Sequence, residues 1–318
     1  MDHPQVTVIC LCYNHEAFLQ EALDSVSAQT YPNLQVIIVD DASTDGSQQQ
    51  IQHFAAIHPT IQTLLLSHNV GNCKAFNLGL ELATGDFVID FSTDDVMVLN
   101  RIEKQISFFG KLDRRVGVVF TDAIYINENG VPFRNHFDYL LAKKLVVQIP
   151  TGDVFRAVLT TYFICSPTMM IRKEVLDRLG GYDAELAYED FDFWVRASRV
   201  FHFALLNEKL TKVRKSSKSM SAGWYEQGDR QLHSTYLVCQ KALKLCANQE
   251  DRKALQWRVL YEFKQSVFSK NTTESKLFSQ LLKIAGKIPA SFYVIRWLSI
   301  IPLPWRWIRK KYYRLVYS

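Results

Sequence analysis

Apolar and polar positions alternate regularly over the first 125 residues. Continuous apolar runs rich in β-branched residues predict buried strands at 6–13, 34–39, 61–66, 87–91 and 116–125. The segments between them place apolar residues at helical spacing and predict helices at 16–28, 47–57, 75–83 and 99–109. Strands that alternate with helices of this length imply crossover connections. We therefore expect an α/β fold with a doubly wound, mostly parallel central sheet and helices on both faces.

The pattern is less regular after residue 126. A turn is predicted at 127–132, and no element is assigned to 133–150. Further elements are predicted at 154–160, 173–179 and 189–199 (helices), 201–206 (strand), and 224–246, 252–268 and 274–284 (helices). The prediction is one domain over 1–222, with halves at 1–125 and 126–222, and a helical C-terminal extension at 223–318.

Composition excludes several classes of protein. Of the 318 residues, 48% are hydrophobic and 22% are charged, which is enough apolar material for a core and too little charge for a disordered chain. The net charge of +5 comes from the tail, because residues 276–318 hold nine Lys or Arg and no acid, and the remainder has 28 basic and 32 acidic residues. A mildly acidic body with a basic, aromatic tail does not match a general nucleic-acid binder, so no nucleic-acid partner is expected.

The cysteines and the chain ends bear on location. The N-terminal sequence has no basic stretch typical of a signal peptide, and the six cysteines form no CxxC motif, so we expect a cytoplasmic protein with reduced thiols. Residues 288–318 mix Trp297, Trp305 and Trp307 with basic side chains. This tail predicts either peripheral contact with the inner face of an anionic membrane or a cap that packs on the domain at 1–222, and the sequence leaves both open.

Polar clusters follow three of the predicted strands, at 13–16, 40–47 and 92–95. Because parallel strands end at one edge of a sheet, these clusters are expected to share a site. Asp45 and Ser47 could instead be simple turn and cap residues, and Asp94 and Asp95 could favour a helix N-terminus. Paired acids on one sheet edge also suit Mg²⁺ or Mn²⁺, which take oxygen ligands. The GxGxxG and GxxxxGK[ST] phosphate loops are missing, which disfavours dinucleotide binding and P-loop chemistry.

Taken in order, these motifs resemble the family 2 glycosyltransferases with the GT-A fold. The resemblance covers roughly residues 5–222 and is carried by the segments 7–14, 39–47, 69–77, 85–95 and 180–196, which include Tyr-Asn, Val-Asp-Asp-x-Ser-x-Asp, Asn-x-Gly, Gly-Gly-Tyr-Asp and Glu-Asp-x-Asp-x-Trp. Arg214, with Ser219 and Ser221, resembles the loop that closes the active site of this fold.

The resemblance implies a role for individual residues. Asp190 matches the catalytic base, and Asp94 and Asp95 match the DxD-type element, with Asp95 favoured as the metal ligand and Asp94 directed toward ribose and diphosphate. Arg214 would add positive charge at the leaving group. The residues expected to bind the nucleotide are Tyr13, Asn14, Glu16, Asp41, Asn69 and Asp94, with Asp41 on the base.

The implied activity is transfer of a sugar from a nucleoside-diphosphate donor, UDP-linked by default, to an acceptor hydroxyl with inversion. The resemblance implies a metal-dependent hexosyl- or N-acetylhexosaminyltransferase that acts on a glycan or lipid-linked acceptor, in cell-surface polysaccharide or glycolipid assembly. The QxxRW motif of processive members is absent, so single-sugar transfer is expected.

Two departures keep alternatives open. Ser92 stands where many members have the first Asp of the DxD triplet, and Ser216 stands where many have a His in the closing loop. The chain could therefore be a nucleotide-sugar-binding protein that has lost catalysis. Its basic tail leaves a third reading, an interaction protein that binds membranes or polyanions.

Overall fold

A computed structural model describes residues 3–216, 225–228, 230–300 and 311, without the side chains of 299 and 300. The predicted closing-loop residues Ser219 and Ser221 lie outside the described residues, as does most of the tail beyond residue 300, including Trp305 and Trp307.

The chain divides into two compact units. The first is built from the described residues of Met1–Val154 and Thr161–Ser216, and the second from those of Phe155–Thr160 and Ser217–Ser318.

The strands of the first unit are β1 (Val6–Cys12), β2 (Leu34–Asp40), β3 (Gln62–Leu65), β4 (Phe87–Ser92), β5 (Val96–Met97), β6 (Val116–Ile126), β7 (Pro132–Asn135), β8 (Met170–Arg172) and β9 (His202–Arg214). The helices, of which α6 and α9 to α12 belong to the second unit, are α1 (Leu19–Ser27), α2 (Ser47–Ile57), α3 (Asn72–Glu81), α4 (Arg101–Phe109), α5 (His136–Ala142), α6 (Phe155–Thr160), α7 (Lys173–Leu179), α8 (Asp190–Ala197), α9 (Arg230–Leu245), α10 (Gln249–Phe268), α11 (Thr272–Ala285) and α12 (Ala290–Ile300).

The strands form one mixed sheet in the order β3-β2-β1-β4-β8-β6-β9-β5, with β7 paired to β6. The longer pairings, β1 with β2, β1 with β4, β2 with β3 and β6 with β9, are parallel. Short antiparallel pairings join β8 to β4 and to β6. The predicted α/β class is confirmed, and the antiparallel strands are short pieces that residue patterning alone does not detect.

Helices cover both faces of the sheet, which explains why β1 is apolar along its whole length. Val8 and Cys10 belong to a buried cluster that includes residues of α1, α2 and α4. Ile9 points to the opposite face, where a Cβ added at Gly79 of α3 would lie 2.7 Å from the Ile9 side chain. Gly79 therefore lets α3 pack closely against the sheet.

The strand order reverses at β1. From β1 the sheet runs through β2 to β3 on one side and to β4 on the other. In open α/β sheets, ligands bind beyond the carboxyl ends of the strands at such a point. The segments that follow β1, β2 and β4 therefore line one crevice, and these are the segments that carry the predicted polar clusters.

The second half of the first unit differs most from the prediction. The strand predicted at 201–206 is β9, which runs on to Arg214 and pairs in parallel with β6 up to Ile126. The segment without an assignment, 133–150, contains most of β7 and all of α5. The length of β9 was underestimated because polar residues from Asn207 to Lys209 interrupt its apolar pattern. The pairing of β9 with β6 shifts register at these residues.

The second unit is helical. Its core includes Leu255 and Val259 of α10 and Phe278 of α11, all fully buried. Arg258 and Glu262 form a buried ion pair on α10 at 3.1 Å. The helices predicted at 252–268 and 274–284 correspond to α10 and α11. Within the described part of the chain, no helix combines the length and apolar character needed to cross a bilayer.

Candidate active site

The turn after β1 is tied to the loop after β2 by two of the predicted nucleotide-binding residues. Asn14 has a left-handed backbone with φ of 59°, which Asn tolerates better than most residues, and its Oδ1 accepts a hydrogen bond from the Thr44 amide at 2.7 Å. Glu16 Oε2 accepts one from the Gly46 amide at 3.0 Å. Asn14 and Glu16 thus shape this wall of the crevice, while Tyr13 is 45% exposed and available for contact.

Asp41 holds the loop between β3 and α3. Its carboxylate accepts hydrogen bonds from the amides of Val70 at 2.7 Å and Gly71 at 2.9 Å. Asn69 Nδ2 donates to the Asp41 carbonyl at 3.1 Å. Asp41 is 5% exposed, and each of its carboxylate oxygens has a second lone pair. It can therefore still accept a hydrogen bond from a ligand while it orders the loop.

Asp94 and Asp95 lie in different environments. Asp95 is 2% exposed, and its Oδ1 accepts a hydrogen bond from the Arg214 amide at 2.8 Å. Burial, with the neighbouring charge of Asp94, raises the pKa of Asp95 well above its usual value, and the buried Arg101 opposes this shift. Asp94 is half-buried and accepts a hydrogen bond from Ser92 Oγ at 2.6 Å. Of the two carboxylates, Asp94 is the more exposed, and the preference for Asp95 as the metal ligand stays a prediction.

Arg214 does not lie in a flexible loop, contrary to the prediction. It is the last residue of β9 and is 4% exposed. Its guanidinium donates to the Asp94 carbonyl at 2.8 Å and to the carbonyls of Asn127 and Glu128 at 3.1 Å. It also pairs with the Glu21 carboxylate at 2.7 Å. These bonds occupy most of its donors, so the Arg214 side chain stabilises the turn at Asp94 and Asp95 and is not available to a leaving group.

Asp190 is the first residue of α8 and is half-buried. Its Oδ2 accepts a hydrogen bond from Ser166 Oγ at 3.1 Å, and its Oδ1 from the Phe191 amide at 2.6 Å. Burial raises the pKa of Asp190, and the bonds from Phe191 and Ser166 oppose that shift. An oriented carboxylate with a raised pKa is suited to accept a proton from a hydroxyl.

Two further acids surround Asp190, and one of them was not anticipated. Glu189 Oε2 accepts a hydrogen bond from Asn72 Nδ2 at 2.7 Å, and Asp90 Oδ2 accepts one from the Tyr182 hydroxyl at 3.1 Å. Burial, together with the charges of Asp190 and Asp90, raises the pKa of Glu189 to about 8. Burial raises the pKa of Asp90 to about 7, with Asp190 adding to the shift. The sequence signal for Asp90 is an acid inside the apolar run of β4.

One loop connects Asp41 with the acids at the start of α8. The amide of Gly71 donates to Asp41, and the side chain of the next residue, Asn72, donates to Glu189 beside Asp190. The positive charge of Lys215 opposes the rise in pKa that burial causes at both Asp95 and Asp190.

The donor set for a metal is small. Among the described residues, no cluster of three His, Cys, Asp or Glu side chains could hold an ion unaided. Asp94 and Asp95 supply two neighbouring carboxylates, and Mg²⁺ is commonly held by one or two carboxylates with phosphate oxygens and water completing its shell. The residues fit an ion that binds together with a phosphorylated ligand.

Relatives of known sequence are glycosyltransferases by name. The family model for glycosyl transferase family 2 matches residues 7–180. The chain is 30% identical over 248 residues to EpsE of Bacillus subtilis (strain 168), named as a glycosyltransferase, and the match covers 76% of this chain and 84% of EpsE. It is 33% identical over 129 residues to TuaG of the same organism, named as a teichuronic acid biosynthesis glycosyltransferase, with 41% and 50% coverage.

Solved structures share the fold. Residues 1–349 of S. aureus TarS, in complex with UDP-GlcNAc, superpose with a TM-score of 0.66 at 19% identity, covering 88% of this chain and 80% of that one. The mannosyltransferase PcManGT from Pyrobaculum calidifontis, in complex with GDP-Man and Mn²⁺, has a TM-score of 0.61 at 20% identity, with 99% and 86% coverage. The predicted GT-A fold is confirmed by these likenesses, and with the family match they establish that the chain belongs to the family 2 glycosyltransferases.

Proposed function

We propose that this glycosyltransferase moves a single sugar from a nucleoside-diphosphate donor to an acceptor hydroxyl with inversion, and that Asp190 is the general base. The observation that carries the proposal is the setting of Asp190, which Ser166 and the Phe191 amide orient at 3.1 and 2.6 Å while burial raises its pKa. A buried, hydrogen-bonded carboxylate with a raised pKa is typical of a group that accepts a proton at an active site.

The reaction forms one bond and breaks another. The acceptor oxygen attacks the anomeric carbon on the face opposite the diphosphate, and its proton passes to a carboxylate oxygen of Asp190. The bond from the anomeric carbon to the phosphate oxygen breaks, and the nucleoside diphosphate leaves with the electron pair. A positioned base of this kind contributes typically about 10²–10⁴-fold in rate.

The nucleotide would occupy the crevice at the reversal of strand order. Asp41 would accept a hydrogen bond from the base while it holds the loop at Val70 and Gly71. Tyr13, Asn14, Glu16 and Asn69 would line the base and ribose side. We propose UDP as the nucleotide and a hexose or N-acetylhexosamine as the sugar. TarS was solved with UDP-GlcNAc and PcManGT with GDP-Man, so both uridine and guanosine donors belong in a screen.

A divalent metal, Mg²⁺ or Mn²⁺, would be held by Asp94 with the donor diphosphate. Asp95 would mainly fix the turn that carries Asp94, because its buried carboxylate accepts a hydrogen bond from the Arg214 amide. The metal would supply positive charge that offsets the charge of the departing diphosphate.

We propose a glycan or lipid-linked acceptor, in cell-surface polysaccharide or glycolipid assembly, reached from the inner face of the membrane. Helix α12 supports a membrane contact, since Tyr293 and Trp297 are 57% and 64% exposed and residues 276–318 contain no acid. Aromatic residues mixed with basic ones are typical of segments that lie on anionic bilayers.

The test is a donor screen with a matched pair of variants. Purified protein is mixed with UDP- and GDP-linked hexoses and N-acetylhexosamines, with and without Mn²⁺, and donor hydrolysis and binding are measured. Asp190→Asn should reduce turnover by at least about 10²-fold with donor affinity nearly unchanged. Glu185→Gln, at an exposed position five residues earlier, should match the wild type. Substantial turnover by Asp190→Asn would refute the base assignment, and donor binding by the wild type without turnover would favour an inactive binding protein.

A further inference from the structure

Arg214 and Lys215 are adjacent cations that face opposite sides of the sheet. β9 ends at Arg214, and the Lys215 amide extends the pairing with β6 by one bond, to the Ile126 carbonyl at 2.9 Å. Successive side chains of an extended strand point to opposite faces. Arg214 therefore turns to Glu21 and the carbonyls it fastens, whereas Lys215 shares the face of Val213.

The residues on the Lys215 face of the sheet include neighbours of the proposed base, Asp190. Val213 belongs to a small buried cluster with Tyr125 and Cys165. The Lys215 ammonium lies over the Tyr125 ring, 5.0 Å from its centroid. The next residue after Cys165 is Ser166, whose hydroxyl donates to Asp190 at 3.1 Å. Lys215 is thus linked to Asp190 through Tyr125, Cys165 and Ser166.

Lys215 also adjoins the acid pair along the chain. The amide of the preceding residue, Arg214, donates to the Asp95 carboxylate at 2.8 Å, so the Lys215 side chain begins next to the turn that holds Asp94 and Asp95. Lys215 is exposed, so unlike Arg214 it can reach a ligand without breaking a set of buried bonds.

We propose that Lys215 binds the diphosphate of the donor and stabilises the negative charge that develops on it as the sugar leaves. This inference rests on the proposed function and assigns to Lys215 the role that the sequence predicted for Arg214. A compact ammonium on a flexible stem is suited to follow a phosphate group as its charge increases. Preorganised positive charge at a leaving group is often a large catalytic contribution.

A purely structural or tuning role for Lys215 makes different predictions. If Lys215 only keeps Asp190 ionised, its removal shifts the acidic limb of the pH-rate profile and leaves nucleotide affinity unchanged. If Lys215 binds the diphosphate, its removal weakens the binding of nucleoside diphosphates much more than that of nucleoside monophosphates, because Lys215 contacts the second phosphate.

The experiment measures dissociation constants of UDP, UMP, GDP and GMP by calorimetry at fixed Mn²⁺ for the full chain. Lys215→Met and Lys215→Gln should raise the dissociation constant of the diphosphate by about tenfold or more and that of the monophosphate by less than about threefold. Hydrogen bonds between a charged side chain and phosphate are stronger than neutral ones. Lys215→Arg should restore most of the difference. Lys212→Met is the matched control, because it lies on the same strand with the opposite parity.

An unchanged ratio of diphosphate to monophosphate affinity in Lys215→Met and Lys215→Gln would overturn the inference and leave the proposed function intact. A wild type that binds none of the four nucleotides would overturn the proposed function as well. An equal loss of affinity in Lys212→Met would overturn the inference about Lys215, because the effect would then be one of general surface charge.

Discussion

The Arg214 amide donates a hydrogen bond of 2.8 Å to the carboxylate of Asp95, although the two residues are 119 positions apart in the chain. This bond joins the turn after β4 to the end of β9, so the acid pair is held by a strand formed much later in the sequence.

The bond to Arg214 predicts different effects for two substitutions of Asp95. Asp95→Ala leaves the Arg214 amide buried without its acceptor and should lower the free energy of unfolding by about 1–3 kcal/mol. Asp95→Asn keeps an acceptor oxygen and should cost less. Urea denaturation of both variants measures the difference. Equal losses would mean that the bond contributes little.

Asp94 and Asp95 should differ in their effect on metal dependence. Because Asp94 is the more accessible carboxylate, Asp94→Asn should raise the Mn²⁺ concentration for half-maximal turnover by about tenfold or more, as expected for loss of a charged ligand. Asp95→Asn should change that concentration less. A Mn²⁺ titration of donor turnover measures both. If Asp95→Asn has the larger effect, Asp95 is the main metal ligand.

The pKa of Asp90 predicts how stability depends on pH. Its pKa is about 7 in the folded protein, raised by burial, against an unfolded value of about 3.9. The folded state therefore keeps a proton that the unfolded state releases, so this contribution to stability is complete below about pH 4 and is lost as pH rises through 7. The Asp90→Asn variant does not undergo this loss, so its stability relative to wild type should be greater at pH 8 than at pH 5 by about 2–3 kcal/mol.

Thermal unfolding across pH 5–8 checks the Asp90 prediction. Asp24→Asn, at an exposed position on α1, is the control and should show no such trend. A stability difference between Asp90→Asn and wild type that stays constant with pH would contradict the raised pKa of Asp90.

The exposed face of α12 predicts the membrane behaviour of the full chain. Replacing Tyr293 and Trp297 with Ser should reduce flotation with vesicles that contain anionic lipid, because aromatic side chains bind at the headgroup level. Trp257→Ser, which removes an exposed aromatic from α10, is a control of the same chemistry. Equal flotation of all three proteins, or none by the wild type, would favour a tail that serves only as a cap.

The sequence was most informative where topology determines position. The ends of β1, β2 and β4 must meet at one edge of a parallel sheet, so the crevice and its residues, such as Asp41, were predictable from strand patterns alone. The motif carried by Glu189 and Asp190, at the N-terminus of α8, was identified through the family resemblance and not through strand topology.

The orientation of individual charged residues was not predictable. Whether Arg214 or Lys215 faces the site depends on how far β9 extends, and the polar residues from 207 to 209 concealed that length. Which acid of the pair is buried depends on the Arg214 amide, a contact of long sequence separation. Asp90 left a visible signal, a lone acid in a buried strand, but its partner Tyr182 lies 92 positions away.

The long reach of Arg214 also has a consequence for how the protein is made. Its guanidinium bonds to Glu21, 193 positions earlier, and its amide to Asp95. As the chain leaves the ribosome, β1 to β4 can pair from roughly the first hundred residues, but the turn with the acid pair gains its anchor only after residue 214 has emerged. A nascent chain stopped before that residue would carry the crevice at the ends of β1, β2 and β4, with the turn at Asp94 and Asp95 not yet bonded to Arg214.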